Sequence, residues 1–157
     1  MMSDCSDNQT YSSNIDAHRV NKIYYAHSIR LYNTRTEKND LDFLNSFGHS
    51  ITVNPNSNVF NGKRSMKPYL LSVSECDSQW YRGETIGVIF EVLSALALDK
   101  NVYSLTTKGP ISEIEVSDFA ALFKKHRFLE SDVILFKNLF DSTAYENFRT
   151  LLKGDSK

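Results

Sequence analysis

The stretch "GETIGVIFEVLSALALDKNVYSL", residues 83–105, decides how the chain is read. From Ile86 to Leu98 nearly every position is apolar or small, which predicts a buried helix over roughly Gly87 to Asp99. "NVYSL" follows as a short strand, and "SQWYR", residues 78–82, precedes the helix as a weaker one. One residue breaks the run. Glu91 is a carboxylate among apolar neighbours, and a carboxylate is costly to bury without a partner.

Working outward, the same alternation continues. "KIYYA" reads as a first buried strand. Leu41, Leu44 and Phe47 share one face of a helix, with Gly48 as its expected stop. "SITVNP" is a second strand ended by Pro55. "NPNSNVFNGKRS" is turn-rich and reads as a loop, and "MKPYLLSVSECD" as a helix with Pro68 in its first turn. The order β, α, β, α, β, α, β with short connections predicts an α/β fold with a mostly parallel sheet of four to five strands. Ligands then belong at the carboxyl ends of the strands, in the loops after Ala26, Val53, Arg82 and Leu105.

The last third predicts further helices from about residue 115. "VSDFAALFKKHRF" is amphipathic with Ser117 as its cap. "SDVILFKNLF" fits strand or helix. "STAYENFRTLLKG" is a helix capped by Ser142 or Thr143 and ended by Gly154, with Phe148, Leu151 and Leu152 inward.

Composition limits what this fold is for. The 157 residues carry 18 Lys+Arg against 19 Asp+Glu, so the basic excess of a nucleic-acid binder is absent. No apolar run reaches the roughly 18 residues of a membrane span. Two widely separated cysteines, Cys5 and Cys76, fit a reducing, cytoplasmic setting. Residues 1–20 are polar and read as a disordered extension, leaving 21–157 as one domain. His18, His49 and His126 stand in no metal-ligand spacing, so neither a metal nor another cofactor is expected.

Two clusters carry candidate chemistry. In "AHSIR", Ser28 and Arg30 follow the first strand, where a hydroxyl, a guanidinium and backbone N–H groups suit an oxyanion. The plainer reading makes Ser28 a turn residue and Arg30 a solvated charge. In "GETIGVIFE", Thr85 stands at the helix start and Glu91 about one turn inside. The helix dipole there favours an ionised carboxylate, suited to act as nucleophile or base. The plainer reading is a dipole-complementing glutamate pointing to water. His27 is a candidate acid or ligand contact. Tyr24, Tyr25, Tyr32 and Tyr69 are aromatics for stacking on a base, or simply core.

"KIYYAHSIRLY" followed by "TIGVIFEVLSALALDKNVYSL" resembles the nucleoside 2-deoxyribosyltransferase-like superfamily over about residues 22–105. That group holds deoxyribosyltransferases, deoxynucleoside 5′-phosphate N-hydrolases and a branch of uncharacterised small proteins, to which these motifs are most similar. The resemblance implies a flavodoxin-like, Rossmann-like sheet with helices on both faces. It implies Glu91, spaced from Gly87 as in the family, as a nucleophile attacking C1′ of a nucleoside or nucleotide. It implies Ser28, Arg30, Thr85 and Gly87 at the sugar or phosphate, and a homodimer or higher homo-oligomer. The first loop reads His-Ser-Ile-Arg where the N-hydrolases have Gly-Ser-Ile-Arg. The family's aspartate for the departing base falls on Tyr69, which leaves Tyr69 or His27 to take that role. Two functions are therefore expected: an N-hydrolase or transferase acting through Glu91, or a nucleotide-binding or sensing module without catalysis.

Overall fold

The computed structural model describes residues 20–56 and 65–154. The expected disordered extension and much of the "NPNSNVFNGKRS" loop lie outside the described residues. The elements are β1 (Asn21–Ala26), α1 (Arg35–Asn45), β2 (Ser50–Val53), α2 (Lys67–Glu75), β3 (Ser78–Tyr81), α3 (Ile86–Ala97), β4 (Asn101–Ser104), β5 (Gly109–Pro110), α4 (Glu113–Lys125), α5 (Leu129–Leu139) and α6 (Ser142–Lys153). A 3-10 turn, Ile29–Leu31, sits between β1 and α1.

The sheet order is β2-β1-β3-β4-β5. The first three pairings are parallel and β5 closes the edge antiparallel to β4. This is the mostly parallel arrangement that the alternation predicts, and it is consistent with a Rossmann-like fold. Side chains alternate across it because successive strand residues face opposite ways. Ile23 and Tyr25 join Trp80 and Leu44 on the α1 side, while Tyr24 and Ala26 join Tyr81 and the other helices. Helices thus cover both faces, unequally.

α3 is the spine of the thicker layer. Val88 to Ala95 are all buried, and Phe90 packs against Phe123 of α4 and Phe148 of α6. Phe148 stacks on Phe136 of α5 with ring centroids 4.3 Å apart, so the three C-terminal helices share one aromatic core.

Several local expectations change. α4 starts earlier than Ser117: its cap is Ser112, whose hydroxyl accepts from the Glu115 amide at 3.1 Å, and Ser117 lies inside the helix. The "SDVILFKNLF" segment is helical, with Phe136 buried on the face that meets α6. The helix expected to carry Leu41, Leu44 and Phe47 up to Gly48 ends at Asn45, which leaves Phe47 beyond it, and His49 takes the left-handed turn (φ 55°) instead of Gly48. α6 is capped by Asp141, whose carboxylate accepts from the Ala144 amide at 2.9 Å, and not by Ser142 or Thr143. Gly154 ends it at φ 75° as expected. Asp141→Ala is therefore expected to cost about 1 kcal/mol, and Ser142→Ala much less, in urea unfolding. Equal effects would contradict the cap.

Candidate functional site

In a doubly wound sheet the crevice opens where neighbouring strands send their chains to opposite faces. Here that point lies between β1, which leads to α1 on one face, and β3, which leads to α3 on the other. A pocket of about 450 Å³ opens there, within the usual size of small-molecule sites. Its walls come from the β1–α1 loop, the start of α2 and the start of α3. Of the sequence-predicted residues, His27, Ser28, Arg30, Tyr69, Thr85, Gly87 and Glu91 all line it.

Glu91 is 4% exposed, so it does not point to water. Tyr24, buried behind it on β1, donates from Oη to Glu91 Oε2 at 2.8 Å. Burial pushes the Glu91 carboxyl up to about 8, against the opposing pull of the Tyr24 hydrogen bond. The helix dipole expected to favour ionisation does not decide the matter. Glu91 sits beyond the first turn, where that influence has faded. Tyr24 is itself raised well above an ordinary phenol, first by burial and then by the Glu91 charge. Two half-buried tyrosines, Tyr32 and Tyr69, also line the pocket and feel that charge.

The mouth is polar. Thr85 caps α3 by position, but its hydroxyl makes no capping bond. The first bond of the helix runs from Ile89 N to Thr85 O, so the amides of Ile86, Gly87 and Val88 lack intrahelical acceptors. Ser28 accepts from the Arg30 amide at 3.1 Å, which fixes the 3-10 turn and leaves the Arg30 side chain exposed at the rim. Among the described residues, no carboxylate pairs with Arg30.

His27 behaves differently from a free acid. Its ring stacks on Tyr25 at 3.7 Å, with Nδ1 3.2 Å from the Tyr25 carbonyl and Nε2 2.8 Å from Glu37 Oε2. Both nitrogens are thus engaged away from the pocket. Burial raises Glu37, but hydrogen bonds from His27, the Asn33 amide and Asn56 outweigh it and hold the carboxyl below its ordinary value. Tyr25 points to the opposite face and donates to Asp40, which Arg82 grips at 2.7 and 2.8 Å. It is excluded from any stacking role in the pocket. The period of two along β1 already separates Tyr25 from Tyr24.

No protein-family model matches the chain, and neither does any curated protein or solved structure. What the site does has to come from its own chemistry. Among the described residues no group of His, Cys, Asp and Glu is placed to hold a metal ion. No helix among them is long and apolar enough to cross a membrane. Met66 and Ile29 add apolar wall, as does Val88 of α3. Sequence reasoning missed all three, because none carries a polar group, although Ile29 stands inside the His-Ser-Ile-Arg motif.

Gly87 lies in the first turn of α3, and a Cβ there would meet no protein atom within 4 Å. The protein does not need a glycine at this place for its own packing, and glycine weakens a helix. Gly87→Ala is expected to raise stability by up to about 1 kcal/mol and to weaken ligand binding by filling part of the pocket. Stabilisation with unchanged ligand affinity would show that the ligand does not approach this turn.

Proposed function

We propose that this protein is a flavodoxin-like N-glycosidase that cleaves, or transfers from, a nucleoside 5′-phosphate through Glu91, as its resemblance to the nucleoside 2-deoxyribosyltransferase-like superfamily implies. The observation that carries this reading is a buried carboxylate, held by Tyr24, at the inner end of a pocket whose rim is built for an anion. Arg30, the Ser28 and Thr85 hydroxyls and the free amides of α3 are the phosphate and sugar contacts. Glu91 Oε attacks C1′ as the base departs, and water or a second base releases the glycosyl ester. Tyr24 orients the carboxylate. The protein is proposed to work in the cytoplasm, and as a homodimer or larger homo-oligomer.

One observation favours a second reading. Tyr69 stands where the related enzymes carry an aspartate, and both ring nitrogens of His27 are occupied. A nucleotide-binding sensor would keep the pocket and release no base. Incubation with a panel of nucleosides and nucleoside monophosphates, read by chromatography for free base, separates the two. Base release supports the enzyme; tight binding with no release supports the sensor.

The pH profile follows from the raised carboxyl. The ionised form is the nucleophile, so kcat/KM should rise with pH and level off above about 8. A profile flat from pH 6 to 9 would remove Glu91 ionisation from the free enzyme's chemistry.

A further inference from the structure

The departing base raises a question of charge that the pocket itself addresses. A neutral purine or pyrimidine leaves as an anion unless an acid protonates it. In this pocket the candidate acids are poor. The nitrogens of His27 face the Tyr25 carbonyl and Glu37. Tyr69 is a phenol made less acidic than usual by burial and by the charge of Glu91. Among the described residues no carboxyl other than Glu91 lines the cavity.

The charge layout points the same way. Glu91 is buried, and its burial opposes the ionised form that must attack. His27 is matched by Glu37, and Arg30 lies out at the rim. No basic side chain among the described residues pairs with Glu91. A positive charge brought by the ligand would supply the missing partner. The rings of Tyr32 and Tyr69 line the same space, and aromatic faces attract cations. The pocket thus holds aromatic rings and an acid whose ionised form lacks a cationic partner inside, and a positive charge at its mouth.

We propose, building on the N-glycosidase reading, that the substrate is a nucleoside 5′-phosphate whose base is a permanent cation of the N-glycosylpyridinium class, with the phosphate at Arg30 and the charged ring between Tyr32 and Tyr69. In the reaction a Glu91 oxygen bonds to C1′ and the C1′–N bond breaks. The bonding pair stays on the ring nitrogen and cancels its charge, so the base departs neutral with no proton needed. Water then attacks C1′ of the glycosyl ester, releases the Glu91 carboxylate, and gives ribose 5-phosphate and one proton.

The test uses the full chain with nicotinamide mononucleotide and inosine 5′-monophosphate as probes, read as free nicotinamide and free hypoxanthine. Proton assistance is typically worth about 10²- to 10⁴-fold, so kcat/KM for the pyridinium nucleotide should exceed that for the inosine nucleotide by about 10²-fold or more. Glu91→Gln should abolish both. Hypoxanthine released as fast as nicotinamide, or faster, would overturn the inference and leave the N-glycosidase reading intact. No base released from either probe, or from a wider panel of monophosphates, would overturn both. Nicotinamide released equally by Glu91→Gln would also overturn the inference, since it routes the reaction through that carboxylate.

Discussion

Replacing Glu91 by glutamine is expected to lower base release on the order of 10³-fold or more, with the fold retained. Glutamine has nearly the same shape, and its amide oxygen can still accept from the Tyr24 hydroxyl that now bonds Oε2. What is lost is the atom that bonds to C1′. Ligand affinity for a neutral nucleotide should change far less than the rate, because the proposed phosphate contacts, Ser28 and Arg30 in the β1–α1 loop and Thr85 at the cap of α3, are separate side chains at the mouth of the pocket. A Glu91→Gln protein that is folded, binds nucleotide and turns over at the wild-type rate would show that the carboxylate is not the nucleophile.

The same substitution should stabilise the protein in alkaline solution, by roughly 3–5 kcal/mol if each pH unit of displacement is worth about 1.4 kcal/mol. The sign follows from proton binding. Glu91 titrates near its ordinary value of 4.5 when the chain is unfolded and at about 8 when folded. Between those values the folded state holds the extra proton, so wild-type stability falls as pH rises through this window and levels above about 8. Below about 4.5 both states are protonated and this term vanishes. Glutamine does not titrate and escapes the loss. Urea unfolding of both proteins at pH 5 and pH 9 checks this. The gap should open at the higher pH, and a gap independent of pH would contradict the burial of Glu91.

These two expected results, more activity from the carboxylate and more stability without it, would together describe a site that holds a costly group for its chemistry. The remainder of the pocket fits that pattern. Gly87 weakens the start of α3 and the Thr85 hydroxyl forgoes a capping bond, and both face the cavity.

Much of this was legible in the sequence. The "IGVIFEVLSALA" run is apolar on every side because α3 is buried on every side, between the sheet and α2, α4 and α6. The β1 and β4 strands are short β-branched and aromatic runs between turn residues, so they read correctly. The pocket residues singled out lie in the loop after β1 and in the opening turns of the helices that precede and follow β3, and the parallel order brings those segments together. What the sequence concealed was tertiary. Burial, and not the helix dipole, sets the Glu91 carboxyl, and burial depends on where α2 and β1 pack. The grip of Glu37 on His27 joins residues ten apart through a loop, with no local signature. The cap of α4 moved because Ser112 and Glu115 form a cap three residues apart that lay upstream of the amphipathic pattern.

The account rests on a covalent bond between Glu91 and the sugar. The direct measurement is peptide mass mapping of the full chain, acid-quenched while it turns over nucleotide. The account predicts one pentose-phosphate mass on the peptide that contains Glu91, absent from Glu91→Gln. Base released with that peptide unmodified, or the adduct found on a different residue, would contradict it.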